Sequence, residues 1–244
     1  FVLASASVYT VNDLRDIDVD RQHPLKRLRP LAAGAIEPTA AIRVAVALAA
    51  AALVVATIVT PLLAAIIGTY LVLMGAYTIW LKRIAILDVM VIAVGFVLRA
   101  VGGAVAVAVP ISPWLLICAF LLALFLGFGK RRAEMVGLGT DATRHRIALE
   151  GYTGPLLDQL VRIAAVAALV TYAIYTVVST SVPDNGSMLL TVPFVAFAIF
   201  RYLYLIYGRG LGGSPESLLF RDRWLLGAVA LWGVLALVVM RAGG

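Results

Sequence analysis

Seven stretches of this chain are apolar for long enough to cross the ~30 Å hydrocarbon core of a bilayer, and that property alone narrows the possible architectures. They run approximately over 40–59, 62–81, 86–109, 114–129, 158–181, 188–207 and 224–242. Composition agrees. With 63% hydrophobic residues, 14% charged residues and a mean hydropathy of +1.02, the 244 residues carry more apolar surface than a soluble globule can hide. The expected fold is all-α, a polytopic transmembrane helical bundle forming a single domain over 1–244. The stretch 114–129 is short for a span and is expected to tilt or to extend into its flanks. Residues 1–11 read as the tail of an eighth span. Because the chain opens at Phe1 without an initiator Met, an N-terminal portion holding the start of that span is expected to precede it. No signal peptide can be judged from a chain that starts inside a helix.

Charge between the spans sets the orientation. Counting sides alternately, one face collects Arg15, Arg21, Lys26, Arg27 and Arg29, then Lys82 and Arg83, then Lys130, Arg131, Arg132, Arg144 and Arg146, then Arg209, Arg221 and Arg223. The other face has Thr60-Pro61, Pro110-Ile111-Ser112-Pro113, the loop Pro183–Ser187 and Arg241. The positive-inside rule puts the first face in the cytoplasm of a plasma (inner) membrane protein. The net charge of +7 is therefore a topology signal and an attraction for anionic membrane lipids; it does not argue for nucleic acid. Cys118 is the only cysteine and lies within a span, so no internal disulfide forms. His23 and His145 stand singly, without partners at zinc spacing.

The polar residues that remain are concentrated. Asn12-Asp13-Leu14-Arg15-Asp16-Ile17-Asp18-Val19-Asp20 puts four carboxylates at the mouth of a span. On a helix advancing about 100° per residue, Asn12, Asp13, Asp16 and Asp20 share one arc while Asp18 points the other way. Three converging carboxylates repel one another, so at neutral pH they call for Mg²⁺ or a basic partner. Mg²⁺ shared between a few carboxylates and phosphate oxygens fits a diphosphate site better than a closed cage. The alternative, a solvated acidic helix end, does not require three acids in register.

Basic residues follow the acids. In the loop 12–39, Lys26 and Arg29 sit in a run broken by Pro24 and Pro30, where they can grip a diphosphate from the side opposite a metal; topology alone also explains such a run. The second cytoplasmic loop, 130–157, opens with Gly129-Lys130-Arg131-Arg132-Ala133-Glu134. Lys130, Arg131 and Glu134 share a helical face that suits a lipid phosphate, and Gly129 permits close approach of a ligand to the backbone. A snorkelling basic cluster accounts for the same residues. Spacing assigns no role to Asp141, Arg144, Arg146 or Tyr152. Within the spans, Arg99 is a candidate functional residue because an intramembrane charge is costly. Asp88 lies about 16 Å from it along the helix, too far to pair, and near enough to the cytoplasmic end to cap the helix or meet Lys82 or Arg83. Gly95 and Gly102 share the face of Arg99, the small-residue pattern of close helix packing.

Asn12-Asp13-x-x-Asp16-x-x-x-Asp20, with Lys26 and Arg29-Pro30-Leu31 after it, resembles the first aspartate-rich motif of the UbiA superfamily of intramembrane prenyltransferases. The run from Asp88-Val89 through Leu98-Arg99 to Gly102-Gly103 falls where that family carries a polar fifth helix, so the resemblance covers nearly the whole chain. It implies nine helices around a cavity open to the cytoplasm and to lipid, about seven and a half of them present here. It also implies a site in which Asp13, Asp16 and Asp20, beside Asn12, hold Mg²⁺.

One departure narrows the expectation. Members of the family carry a second acidic motif after the sixth span, where this chain has Lys130-Arg131-Arg132. A cationic site holds an anion rather than a second metal. This variation resembles the decaprenyl-phosphate phosphoribosyltransferase branch, which implies transfer of 5-phosphoribosyl from 5-phosphoribosyl 1-diphosphate to a polyprenyl phosphate, for arabinan-containing cell walls. The stretch Pro215-Glu216 to Arg221-Asp222 resembles that branch less distinctively. Lys130 and Arg131, with Glu134, would then position the acceptor phosphate, and Lys26, Arg29 or Arg146 the donor's 5-phosphate. The rival enzyme reading is an aromatic prenyltransferase with a prenyl diphosphate donor, which should bring a second acidic cluster. A transporter should show inverted repeats or broken helices near midplane. Oligomeric state stays open, a homo-oligomer being compatible with the sequence.

Overall fold

The computed structural model describes residues 1–22, 26–138 and 147–242, with helices and turns and no strand among them. The chain forms two compact units. The first, Phe1–Pro110, holds α1 (Val2–Arg15), α2 (Ile17–Gln22), α3 (Pro38–Val59), α4 (Pro61–Ile79) and α5 (Leu87–Ala106). The second, from Ile111 onward, holds α6 (Pro113–Leu138), α7 (Gly154–Val178), α8 (Val192–Arg209), α9 (Pro215–Arg221) and α10 (Arg223–Ala242). Among the described residues seven helical segments are long and apolar enough to cross a membrane: α3, α4, α5, α6, α7, Ser187–Arg209 and α10. They coincide with the seven expected stretches to within a few residues, except at one end of α6.

Proline begins these helices. Pro38, Pro61 and Pro155 occupy the first turns of α3, α4 and α7, where their missing N–H would be unsatisfied in any case. Thr60 and Thr153 complete two of the starts by accepting bonds from the amides of Leu62 and Leu156. Wide apolar faces remain bare, Ile58 being 79% and Val72 75% exposed, as expected of helices whose solvent is lipid.

In the first unit small residues set the packing distance. Ala41, Ala45, Ala52 and Ala56 form a buried stripe down α3. The Ser7 hydroxyl of α1 donates to the Ala45 carbonyl at 2.8 Å across that seam. Tyr70, Met74, Ile67 and Leu63 of α4 continue the core toward α5, where Gly95 leaves just enough room for Met74 and Gly102 for the Phe1 ring. The glycine pair therefore does serve close packing.

The second unit closes its core with a polar network at the end opposite the basic residues. Trp232 Nε1 donates to the Tyr172 hydroxyl at 2.7 Å, which meets Thr191 Oγ1 at 2.7 Å. At its other end Asp222 joins three helices: its carboxylate receives two bonds from Arg201 of α8, at 3.1 and 2.7 Å, and one from the Leu225 amide at the start of α10. The Arg201 hydrogen bonds hold the Asp222 carboxyl below its ordinary value. A lowered carboxylate stabilises the fold above the ordinary aspartate range, and that contribution is lost as pH falls through the lowered folded value. Asp222→Asn should accordingly lower the thermal midpoint in detergent at pH 7. The gap between variant and wild type should close below pH ~4 and stay constant at higher pH; a gap that persists unchanged in acid would show that the carboxylate charge is not the cause.

Candidate functional site

Two lengths of chain that are remote in sequence neutralise the aspartates. α1 ends at Arg15, Asp16 has φ −100° and ψ 7°, and α2 starts at Ile17, so the motif is not the uninterrupted helix expected from its spacing. Helical bonding nonetheless carries through the break. The Asp16 amide donates to the Asn12 carbonyl at 3.0 Å and the Asp20 amide to the Asp16 carbonyl at 2.7 Å, so the side chains keep their common side.

Each carboxylate on that side meets a cation. Arg29, delivered by a 3₁₀ turn at Lys26–Leu28, donates from one guanidinium nitrogen to Asp13 Oδ1 at 2.7 Å and to Asp20 Oδ2 at 2.9 Å. Lys26 Nζ lies 4.0 Å from the second oxygen of Asp20, which is itself almost wholly buried. Lys82, in the turn between α4 and α5, donates to Asp16 Oδ1 at 2.7 Å and Asn12 Oδ1 at 3.2 Å, while Asn12 Nδ2 donates to Asp16 Oδ2 at 3.0 Å. Asp18 points away as expected, its side chain 91% exposed beside Arg21.

Burial pushes the Asp13 carboxyl above its ordinary value, Arg29 opposes this, and the charges of Asp20 and Asp16 add to the rise. A raised carboxylate costs stability at neutral pH and loses that cost as it protonates, so a further cation beside it would be stabilising. Among the described residues no three acidic, His or Cys side chains close on one point, because Arg29 and Lys82 stand between them. The donor set still suits Mg²⁺. Three carboxylates and an amide oxygen are hard ligands for an open site completed by water and diphosphate oxygens.

The expected cationic site changes more. α6 does not stop near 129 but runs to Leu138, so Lys130–Glu134 lie on a helix and not at the start of a loop. These residues are good helix formers, and Arg131 Nη1 bonds Glu134 Oε2 at 3.0 Å one turn on. Arg131 is 3% exposed, committed to the protein interior. Arg132 donates to Asp158 of α7 at 2.6 Å and stacks 4.1 Å from the Tyr207 ring centroid. Gly129 does not admit a ligand: a Cβ there would meet Ile206 at 3.0 Å and Tyr202 at 3.3 Å, so the glycine lets α8 approach α6. Lys130, half-buried, is the member of the triplet without an acidic partner among the described residues. Arg146 lies outside the described residues. Arg99 donates to the Tyr70 hydroxyl at 2.7 Å and lies over the Tyr70 and Phe96 rings, so its contacts are aromatic and do not include the aspartates. Asp88 is fully buried at the start of α5, and Lys82, one of the two cations expected to meet it, serves Asp16.

The UbiA prenyltransferase family profile matches residues 1–226. The chain belongs to the UbiA prenyltransferase family. As a UbiA protein it is a multi-pass membrane transferase, and its fold agrees. A solved structure of a UbiA homologue from Archaeoglobus fulgidus bound to GPP and Mg²⁺ superposes with a TM-score of 0.74 at 19% identity, covering 98% of this chain and 87% of that one. Two decaprenyl-phosphate phosphoribosyltransferases are closer in sequence. Those of Mycobacterium tuberculosis H37Rv and Mycolicibacterium smegmatis are each 35% identical, the first over 95% of this chain and 76% of its own length, the second over 92% and 73%. Lys82 is the site residue that sequence reasoning passed over; its only signal was a basic pair in a short turn on the motif's side of the membrane.

Asp13→Asn and Asp16→Asn remove one charge each without changing volume, and each should lower turnover at least about a hundredfold at unchanged yield of folded protein. Asp18→Asn should stay within a few-fold of wild type. Equal loss at all three positions, in a membrane assay normalised to folded protein, would mean that the carboxylate geometry does not select the active residues.

Proposed function

We propose that this chain transfers a 5-phosphoribosyl group from 5-phosphoribosyl 1-diphosphate to a polyprenyl phosphate such as decaprenyl phosphate. The observation that carries this reading is chemical: the chain has Lys130-Arg131-Arg132 where the resemblance implies a second acidic motif, and Lys130, the member without an acidic partner among the described residues, suits an anion. The names of its 35% identical relatives support it.

In this reading the first unit binds the donor. Asp13, Asp16 and Asp20 would hold Mg²⁺, which when bound supplies neutralisation of the leaving diphosphate. Lys26, Arg29 and Lys82, each of which already reaches a motif residue, would take the remaining phosphate charge. The bond from ribose C1 to the diphosphate oxygen breaks, its electrons leaving with diphosphate, and an oxygen of the polyprenyl phosphate forms the new bond to C1. That oxygen is ionised at neutral pH, so no general base is needed. Lys130 receives the acceptor phosphate, with Arg131 and Glu134 fixing the helix that presents it. The loop charges support a location of these groups on the cytoplasmic face of the plasma membrane.

A prenyl diphosphate donor is the second reading, favoured by the GPP of the Archaeoglobus homologue's structure. Membranes given labelled 5-phosphoribosyl 1-diphosphate or labelled prenyl diphosphate should move only the first label into lipid, with Mg²⁺ required. Lys130→Ala should raise the apparent KM for polyprenyl phosphate about tenfold and leave that of the donor nearly unchanged. A change confined to the diphosphate donor would overturn the assignment of Lys130.

A further inference from the structure

The connection between α8 and α10 lines an open, part-polar pocket of about 330 Å³ that the proposed transfer does not use. Gly210, with φ +65°, ends α8 and turns the chain so that the Leu211 amide returns to the Leu205 carbonyl at 3.0 Å. Gly212 then lies against α6: a Cβ there would come within 2.9 Å of the Ala133 Cβ, an atom that cannot swing aside. The glycine loop is thereby pinned in place.

The groups facing this pocket have one chemistry in common. Arg209 and Arg221 line it from the ends of α8 and α9, both exposed, and neither makes an ion pair among the described residues. Asp222 also lines it, but Arg201 takes its carboxylate with two bonds, so it does not offset those cations. Ser214 and Ser217 add hydroxyls. The amides of Gly212, Gly213 and Ser214 donate to nothing among the described residues. Two guanidinium groups without a carboxylate partner, Arg209 lying over the Tyr204 ring, stand beside unpartnered amides and two hydroxyls, of which that of Ser217 donates to the Ser214 carbonyl; together they match the oxygens of a phosphate group. Phe220, 75% exposed, and Trp224, 56% exposed, flank Arg221, the amphipathic surroundings of a membrane boundary.

We propose that this pocket is a phosphate-binding site separate from the aspartate cluster, its ligand supplied by a lipid headgroup or by a soluble phosphate ester. The full chain, in nanodiscs of phosphatidylcholine, is titrated with labelled inorganic phosphate; a second series adds phosphatidylglycerol and counts retained anionic lipid by native mass spectrometry. Arg209→Gln with Arg221→Gln should weaken binding about tenfold or more at an unchanged thermal midpoint, and the paired Lys substitutions should restore part of it. Gly212→Ala, which keeps both arginines and displaces the loop, should weaken it too and keeps the test open if the double variant does not fold. Loss confined to phosphatidylglycerol identifies a headgroup site; loss of inorganic phosphate binding as well, or alone, identifies a site open to soluble esters. Asp13→Asn, which disables the proposed transfer, should leave the arginine-dependent binding untouched, so the two proposals fail separately. If neither probe responds to the arginine substitutions, these residues act on topology alone and the proposal is wrong.

Discussion

Like charges gathered at the edge of a bilayer must be neutralised, and the first unit is arranged around that requirement. Asp13, Asp16 and Asp20 repel one another, and Asp20 is almost fully removed from solvent. Arg29 answers two of them with a single guanidinium nitrogen, and Lys82 answers the third while holding Asn12. To reach them, the 3₁₀ turn at Lys26–Leu28 and the connection between α4 and α5 must both lie beside the motif. The ion pairs thus anchor two connections, beside the buried Leu31 and Ala32 of the first and the packed Leu81 of the second. In the proposed reaction the same cations exchange part of their contact with carboxylates for contact with phosphate oxygens. Groups already held at these distances give up little further entropy on binding.

The second unit spends its charges differently. Arg131 is used within one turn of its own helix, Arg132 ties α6 to α7, and Arg201 ties α8 to the start of α10. Each of these cations is paired, so each rigidifies the face that presents its neighbours. Among the described residues Lys130 on α6 and Arg209 with Arg221 around the glycine loop have no carboxylate partner. A count of basic residues on one side of the membrane treats Lys130, Arg131, Arg132, Arg209 and Arg221 alike. Pairing divides them into cations that build the scaffold and cations that can meet a ligand.

The sequence by itself determined the helices and the chemistry of the motif. Span length and hydropathy follow from the thickness of hydrocarbon, and the spacing of Asn12, Asp13, Asp16 and Asp20 follows from 3.6 residues per turn, so both are local and survive even the break at Asp16. Small residues at Gly95 and Gly102 were likewise legible as packing positions, because only a missing side chain lets helices approach so closely. Tertiary structure decided the partners. Nothing in the spacing says that Lys82, 66 residues away, closes on Asp16, that Arg132 belongs to Asp158, or that Gly129 is filled by Tyr202 and Ile206. Ion pairs act between side chains a few ångströms apart, whatever their distance along the chain. Which charge meets which is therefore fixed only when the helices have packed.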